Sequence, residues 1–355
     1  MLKIDIIVGA RPNFMKIAPI IHILEKLECI KYRLIHTGQH YSDNMSKAFF
    51  SNLNIPEPDI TFGIGIKTGA IMDTYDNLLS TTELPDLCIV VGDVNSTMAC
   101  AIAARKHWID VAHIEAGVRS HDLQMPEEIN RIVTDSICNI FFVTSVEAGK
   151  NLIHSGVNSK DIHFVGNIMA DTLLENINKF EKPEIWDALA LEDKKYCVLT
   201  LHRPSNVDNP ENLSSILSEL DGEGVPIILP IHPRTRKVLD EIDVEYKNIC
   251  VINPLDYLNF NYLVQHSLGV LTDSGGVQAE TTIMKVPCIT IRRNLEFSET
   301  VEIGTNVLAM PKEGLKEAFS LMIRKKWKKG RVPEKWDGKT AERIVDIILK
   351  LYRDK

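Results

Sequence analysis

The chain has 355 residues, of which 45% are hydrophobic and 25% charged. These are ordinary globular values, which exclude a disordered or fibrous chain, and the length points to two domains. Forty basic against 48 acidic side chains give a net charge of −8; such a chain is a poor general binder of nucleic acid or anionic membrane, because phosphate affinity comes from clustered Lys and Arg.

In chain order, short apolar runs alternate with longer amphipathic ones. Strands are predicted over residues 4–8, 33–37, 87–92, 111–115, 140–143 and 162–165, with helical patterns between them such as 16–27 and 96–107. The opening segment MLKIDIIVGARP reads as a first strand rather than a signal peptide, since Asp5 interrupts the apolar run. The rhythm weakens after Gly166, and the charged, Pro-containing stretch 179–195 reads as a link or a peripheral helix. A second set of strands follows at 196–201, 226–231, 249–252, 268–271 and 288–291. Near-continuously apolar strands alternating with helices imply parallel sheets covered on both faces. Two such sets imply an α/β protein of two doubly wound, Rossmann-like domains with a cleft between them. No apolar run approaches the ~20 residues that cross a bilayer. The basic stretch RKKWKKGR (324–331) follows a helical pattern and reads as a solvated helix end.

The seven cysteines are odd in number, form no CxxC and sit in apolar runs such as LCIVVG and PCITI. They read as buried small hydrophobes of a chain kept in a reducing, cytoplasmic compartment. His36 and His40 lack a third ligand, so no metal site is expected.

Polar and Gly-containing segments fall repeatedly after strands, where open α/β sheets bind ligands. GARPNFMK lacks the GxGxxG spacing of a dinucleotide site, but it places Arg11 and Lys16 near a helix N-terminus, which favours an anion. In TDSGGVQAE, Ser274, Gly275 and Gly276 would open a helix and let backbone amides approach a phosphate; Asp273 could instead be its N-cap. Glu280, one turn further on, could accept sugar hydroxyls or face solvent. Asp93 and Glu115 end apolar strands, while Glu127 and Glu128 follow Pro126 at a helix start and could equally complement the helix dipole. If these carboxylates converge, like-charge crowding pushes at least one pKa up, as proton transfer at carbon requires. His202, beside Arg203 in HRP, is the titrating candidate from the second half.

The ordered motifs GARPNFMK, TGQHY, GDVNST, HIEAGVRS, MPEEINR, TLHRPSN, IHPRTR, LDYLNF, TDSGGVQAE and DGKTAERI resemble those of the UDP-N-acetylglucosamine 2-epimerase family, from residue 8 to about 345. The resemblance implies a glycosyltransferase-B-type fold with domains at 1–167 and 168–339, the helix at 340–355 returning to the first. It implies a homodimer that inverts C2 of a UDP-linked 2-acetamido sugar without a redox cofactor. By motif it assigns Asp93, Glu115, Glu127 and His202 to catalysis. Arg11, Lys16, Arg203, Ser274, Gly275, Gly276 and Glu280 match substrate contacts, and Phe260 matches an aromatic near the uracil. TGQHY and HPRTR fall where some members bind a second, activating UDP-sugar. The family's T-E-R-P is Leu295-Glu296-Phe297-Ser298 here, so one cationic contact is replaced by Phe297. The TGQHY and TLHRPSN variants also resemble a subgroup acting on other UDP-2-acetamido sugars. Three other readings share many of these features: a hydrolysing epimerase, a retaining glycosyltransferase and a non-catalytic UDP-sugar-binding regulator.

Overall fold

The run LKIDIIV forms the first strand, β1 (Leu2–Val8), buried through most of its length. This computed structural model describes residues 1–38, 54–63, 65, 67–231, 233–242 and 245–353. It divides into two compact units, Met1–Thr172 with Glu334–Lys355, and Leu173–Pro333.

In the first unit β1 is followed by β2 (Ile30–His36), β3 (Ile60–Thr61), β4 (Leu87–Val91), β5 (Asp110–Ile114), β6 (Ile140–Val143) and β7 (Ile162–Phe164). They make one sheet in the order β3-β2-β1-β4-β5-β6-β7, parallel at every pairing. The period-2 alternation of β1 decides its two faces. Ile4, Ile6 and Val8 pack with Phe14, Ile17 and Ile21 of the helix Arg11–Leu24, and with Ile344, Val345 and Ile348 of the last helix, Thr340–Tyr352. Ile7 packs on the other face with Ile71, Tyr75 and the Ala-rich helix Asn95–Lys106. Each fully buried Ile contributes roughly 1.5–3 kcal/mol, so the last helix is tied to this unit by its apolar stripe. Asp5, the polar residue of β1, is buried but neutralised by the Arg33 guanidinium, with N–O distances of 2.7 and 2.8 Å.

The second unit has β8 (Cys197–Thr200), β9 (Ile227–Pro230), β10 (Ile249–Ile252), β11 (Gly269–Thr272), β12 (Cys288–Thr290) and β13 (Asn306–Leu308). Their order is β10-β9-β8-β11-β12-β13, again parallel. Cys197, Leu199 and Leu201 face one core, and Tyr196 and Val198 face the other.

All eleven expected strands form, within two or three residues of the expected limits. The sequence reading missed β3 and β13, which are two and three residues long and too short for a periodic signal; each forms by pairing with a longer neighbour. The stretch 179–195 holds only a short helix, Glu184–Ala188, and belongs to the second unit. The division lies at Thr172 and Glu334 rather than at 167 and 340. Thr172 donates to the Met15 carbonyl, Asp171 accepts from the Ala341 amide 2.8 Å away, and the Trp336 indole donates to the Thr144 carbonyl at 3.2 Å, so these flanking residues are held by the first unit. Cys88, Cys100, Cys197 and Cys288 are buried and all seven cysteines are free thiols; Cys29 is exposed. The 324–331 stretch is mostly exposed beyond the helix Leu315–Ile323, with Trp327 tucked in through a 2.6 Å hydrogen bond to the Thr305 carbonyl. Among the described residues no helix is long and apolar enough to cross a membrane.

Candidate active site

In each unit the strand order reverses between two central strands, β1 and β4 in the first, β8 and β11 in the second. A crevice at such a switch point is where doubly wound sheets bind ligands.

In the first unit the turn after β1 is built by Asn13. Its amide oxygen accepts from the Gly9 and Ala10 N–H groups (3.1 and 2.9 Å), and its amide nitrogen donates to the Val91 carbonyl at the end of β4 (3.1 Å). This seats the helix Arg11–Leu24 so that Lys16 forms an ion pair with Glu115, just after β5. Glu115 is largely buried and adopts a left-handed backbone conformation, φ +69°, an unfavourable one for a side chain of its size. Asp93 follows β4, with its side chain 28% exposed, and pairs with Arg131 of the helix Pro126–Ile137. Asn130 of the same helix donates to the Asp93 carbonyl at 2.8 Å. Burial is the largest influence on Lys16 and disfavours its charge, yet Glu115 and then Asp93 outweigh it and hold the ammonium above the usual lysine range. The carboxylates therefore meet countercharges, unlike the bare crowding expected from sequence.

Glu127 and Glu128 are neighbours with different tasks. Glu128 is buried and accepts from the Ser120 N–H (2.9 Å), the His121 N–H (3.0 Å) and Arg131 (3.0 Å). Burial opposes its ionisation, but these donors prevail and hold its carboxyl below the usual range. Glu127 is half-buried on the first turn of the same helix.

In the second unit Ser274 occupies the N-cap position of the helix Gly275–Met284, with no cap bond from its hydroxyl. The first N–H groups of a helix lack intrahelical partners and suit an anion. Asp273 is not the cap. It is fully buried and accepts from the His202 and Arg203 N–H groups (3.1 and 2.9 Å), the Asn206 amide (3.0 Å) and His202 Nδ1 (3.0 Å). Burial works against its charge, but His202 and these donors hold its carboxyl below the ordinary range. His202 keeps 40% of its side chain exposed, oriented from beneath by that carboxylate. Glu296 pairs with Arg203 (3.2 Å) and Arg292 (3.1 Å), its carboxylate against Gly275, where a Cβ would lie 2.6 Å from Oε2. Glu280 does not face solvent. It is buried among Tyr257 and Asn261, and burial pushes its carboxyl up to about 7 against the pull of their hydrogen bonds.

A sequence profile described as UDP-N-acetylglucosamine 2-epimerase matches residues 22–349. The chain belongs to this family. It is 42% identical to a UDP-N-acetylglucosamine 2-epimerase of Methanocaldococcus jannaschii, covering 98% of this chain and 99% of that one. It is 41% identical to UDP-2,3-diacetamido-2,3-dideoxy-D-glucuronate 2-epimerase of Pseudomonas aeruginosa, over 86% and 88% of the two chains. A crystal structure of the M. jannaschii enzyme in complex with UDP-GlcNAc and UDP superposes with a TM-score of 0.88 at 43% identity, covering 98% of this chain and all of that one. The expected family, its isomerase activity class and the α/β fold of two parallel-sheet domains are thus established for this chain.

The first unit brings Lys16, Asp93 and Glu115 together, with Glu127 on the helix that carries Arg131. The second joins His202 and Arg203 to the Ser274–Gly276 turn through Asp273. Phe260 is partly buried against the second core, on the helix Tyr257–His266 that also carries Asn261. Arg11 lies in the first turn of its helix, with its side chain outside the described residues, as are Gln39, His40 and Tyr41 of TGQHY and His232 of IHPRTR. Phe297 is buried, with its ring near Gly275. The sequence reading missed Arg131, Asp273 as the His202 support, and the Arg292–Glu296 pair. Only Arg131 left a usable signal, its i,i+3 spacing from Glu128. Among the described residues no group of His, Cys, Asp and Glu is arranged to hold a metal.

Proposed function

We propose that the chain inverts C2 of a UDP-2-acetamido sugar, UDP-N-acetylglucosamine or a close relative, without a redox cofactor. The observation that carries this is the pairing of Lys16 with Glu115 beside Asp93, at the ends of the adjacent strands β4 and β5. Carboxylates at that position suit proton transfer at carbon. The second unit supplies the anion side, with backbone amides at Ser274–Gly276, the guanidinium of Arg203, and Glu280 for hydroxyls.

The C2 proton is not acidic in the intact sugar. As the C1–O bond to UDP breaks, its electron pair leaves with the β-phosphate and C1 gains oxocarbenium character, which acidifies C2. A carboxylate takes the C2 proton and a C1=C2 double bond forms, giving a 2-acetamidoglucal. Readdition of UDP to C1 with protonation on the opposite face of C2 gives the epimer. Asp93, Glu115 and Glu127 are the candidate bases and acids, and His202 carries a proton for the departing or returning phosphate. Helix amides and Arg203 stabilise the growing charge on the diphosphate. Arg11, Lys16 and Phe260 complete the substrate set. A homodimer follows from the family pattern, the cysteine usage points to a cytoplasmic location, and TGQHY and HPRTR fall where some members bind a second, activating UDP-sugar. The P. aeruginosa relative makes a diacetamido uronate the second substrate to try.

An NMR time course in D2O with UDP-N-acetylglucosamine and the diacetamido uronate tests this. We expect deuterium at C2 of both epimers with no build-up of free UDP. Conversion without C2 deuterium would refute the mechanism. UDP rising in step with free sugar would assign the hydrolysing activity, and turnover only with an acceptor would assign a transferase.

A further inference from the structure

Beneath the first-unit carboxylates lies a buried polar group that the reaction as written does not use. His113, on β5, and Asp135, on the helix Pro126–Ile137, are both inaccessible to solvent or nearly so. His113 Nδ1 is 2.7 Å from Asp135 Oδ1, and His113 Nε2 is 2.8 Å from the Gly92 carbonyl oxygen. Asp135 Oδ2 accepts from the Gly117 N–H at 3.0 Å and pairs with Arg119 Nη1 at 2.6 Å. One hydrogen-bonded chain therefore ties the turn before Asp93, the turn after Glu115 and the helix that carries Glu127.

The chemistry of the partners sets the state of the ring. A carbonyl oxygen only accepts, so Nε2 carries a proton. Nδ1 faces a carboxylate oxygen that Arg119 and the Gly117 amide keep ionised. Burial opposes that charge on Asp135, but His113 and Arg119 outweigh it and hold its carboxyl below the ordinary range. The ring is thus held at both nitrogens, by the carboxylate on one side and the carbonyl on the other. The turn it anchors has no slack. Gly117 sits at φ +76°, and a Cβ there would lie 2.2 Å from the Ala148 carbonyl oxygen. A core that needed only filling at this point would use an apolar side chain, since burying four polar groups is costly unless each is satisfied.

We propose that His113 and Asp135 are positioning residues for the epimerisation, a buried histidine–carboxylate pair that fixes the spacing of Asp93, Glu115 and Glu127. This rests on the functional reading above.

Two measurements test it. In the wild-type protein labelled with 15N-histidine, the His113 ring N–H signal should be slow to exchange with solvent, as a buried ring held between the Gly92 carbonyl and Asp135 requires. Fast exchange at this ring would overturn the assignment. In kinetics, His113→Phe and Asp135→Asn should each lower kcat by on the order of ten- to a hundredfold through misplaced carboxylates, leaving KM within about twofold. The double variant should be no worse than the worse single one, because the two act as a unit. Unchanged kcat in either folded variant, or a loss matched by the fraction of unfolded protein, would overturn the proposal. Wild-type protein that binds UDP but fails to epimerise would sink the functional reading instead, and the ring spectrum would still decide whether His113 and Asp135 form this pair.

Discussion

The two units share one architecture and put opposite chemistry at the same place in it. Both are parallel sheets whose strand order reverses at the centre, and both carry their polar residues just past the central strands. At that point the first unit holds Asp93 and Glu115, partly neutralised by Lys16 and Arg131. The second holds the buried carboxylate of Asp273, whose oxygens are turned toward backbone amides and His202, that of Glu296, paired with Arg203 and Arg292, and beside them the amide-rich start of the helix Gly275–Met284. A cluster of half-compensated carboxylates is suited to moving protons, and a helix N-terminus flanked by arginines is suited to holding a diphosphate. The fold supplies the location, and the residue types at the strand ends decide what the location does.

Substitutions can break this division of labour. The largest effect is expected for Asp93→Asn, which should cut epimerisation by about 10²–10⁴-fold while UDP affinity by calorimetry stays within about twofold. An equal loss of UDP affinity would mean that the first unit also holds the nucleotide. Next, Asp273→Asn should lower kcat by roughly a hundredfold by releasing His202, and should weaken UDP binding by less than about tenfold. Wild-type kcat in this variant would remove His202 from the chemistry and leave the second unit as a binding unit alone. The smallest effect concerns Glu280. Its folded-state pKa, raised to about 7, means that the folded protein keeps a proton that the unfolded chain releases near the ordinary range of about 4.3. The stability this gives is fully present below about pH 4 and is lost as pH rises through about 7. Melting curves between pH 5 and 8 should therefore fall more steeply for wild type than for Glu280→Gln, and identical slopes would place Glu280 in a wetter setting.

Much of this arrangement was legible because it depends on local pattern. The strands of both sheets are continuous apolar runs, and the Ser-Gly-Gly turn announces a helix start that the structure places at Gly275. What stayed hidden is the work of pairs distant in sequence. Asp273 reads as a cap from its neighbours, and only the pairing of β8 with β11 brings it under His202, 71 residues away. Apart from the family motif, Glu127 and Glu128 read alike in the sequence. They part only because Glu128 points into the Ser120–His121 turn and Arg131, which the fold brings to it. Likewise nothing local marks Glu296 as the partner of Arg203, 93 residues away, or Glu280 as a carboxyl buried beside Tyr257.

The sequence by itself determined the two sheets, the segments that end at the ligand-binding edge of each and the family to which the chain is similar, because hydrophobic period and turn chemistry are properties of neighbouring residues. Only the tertiary structure decided which carboxylates are spent on holding backbone turns and which are left beside a cation at the site. Burial and charge pairing are set by residues that meet through strand pairing, and no reading of adjacent letters contains those meetings.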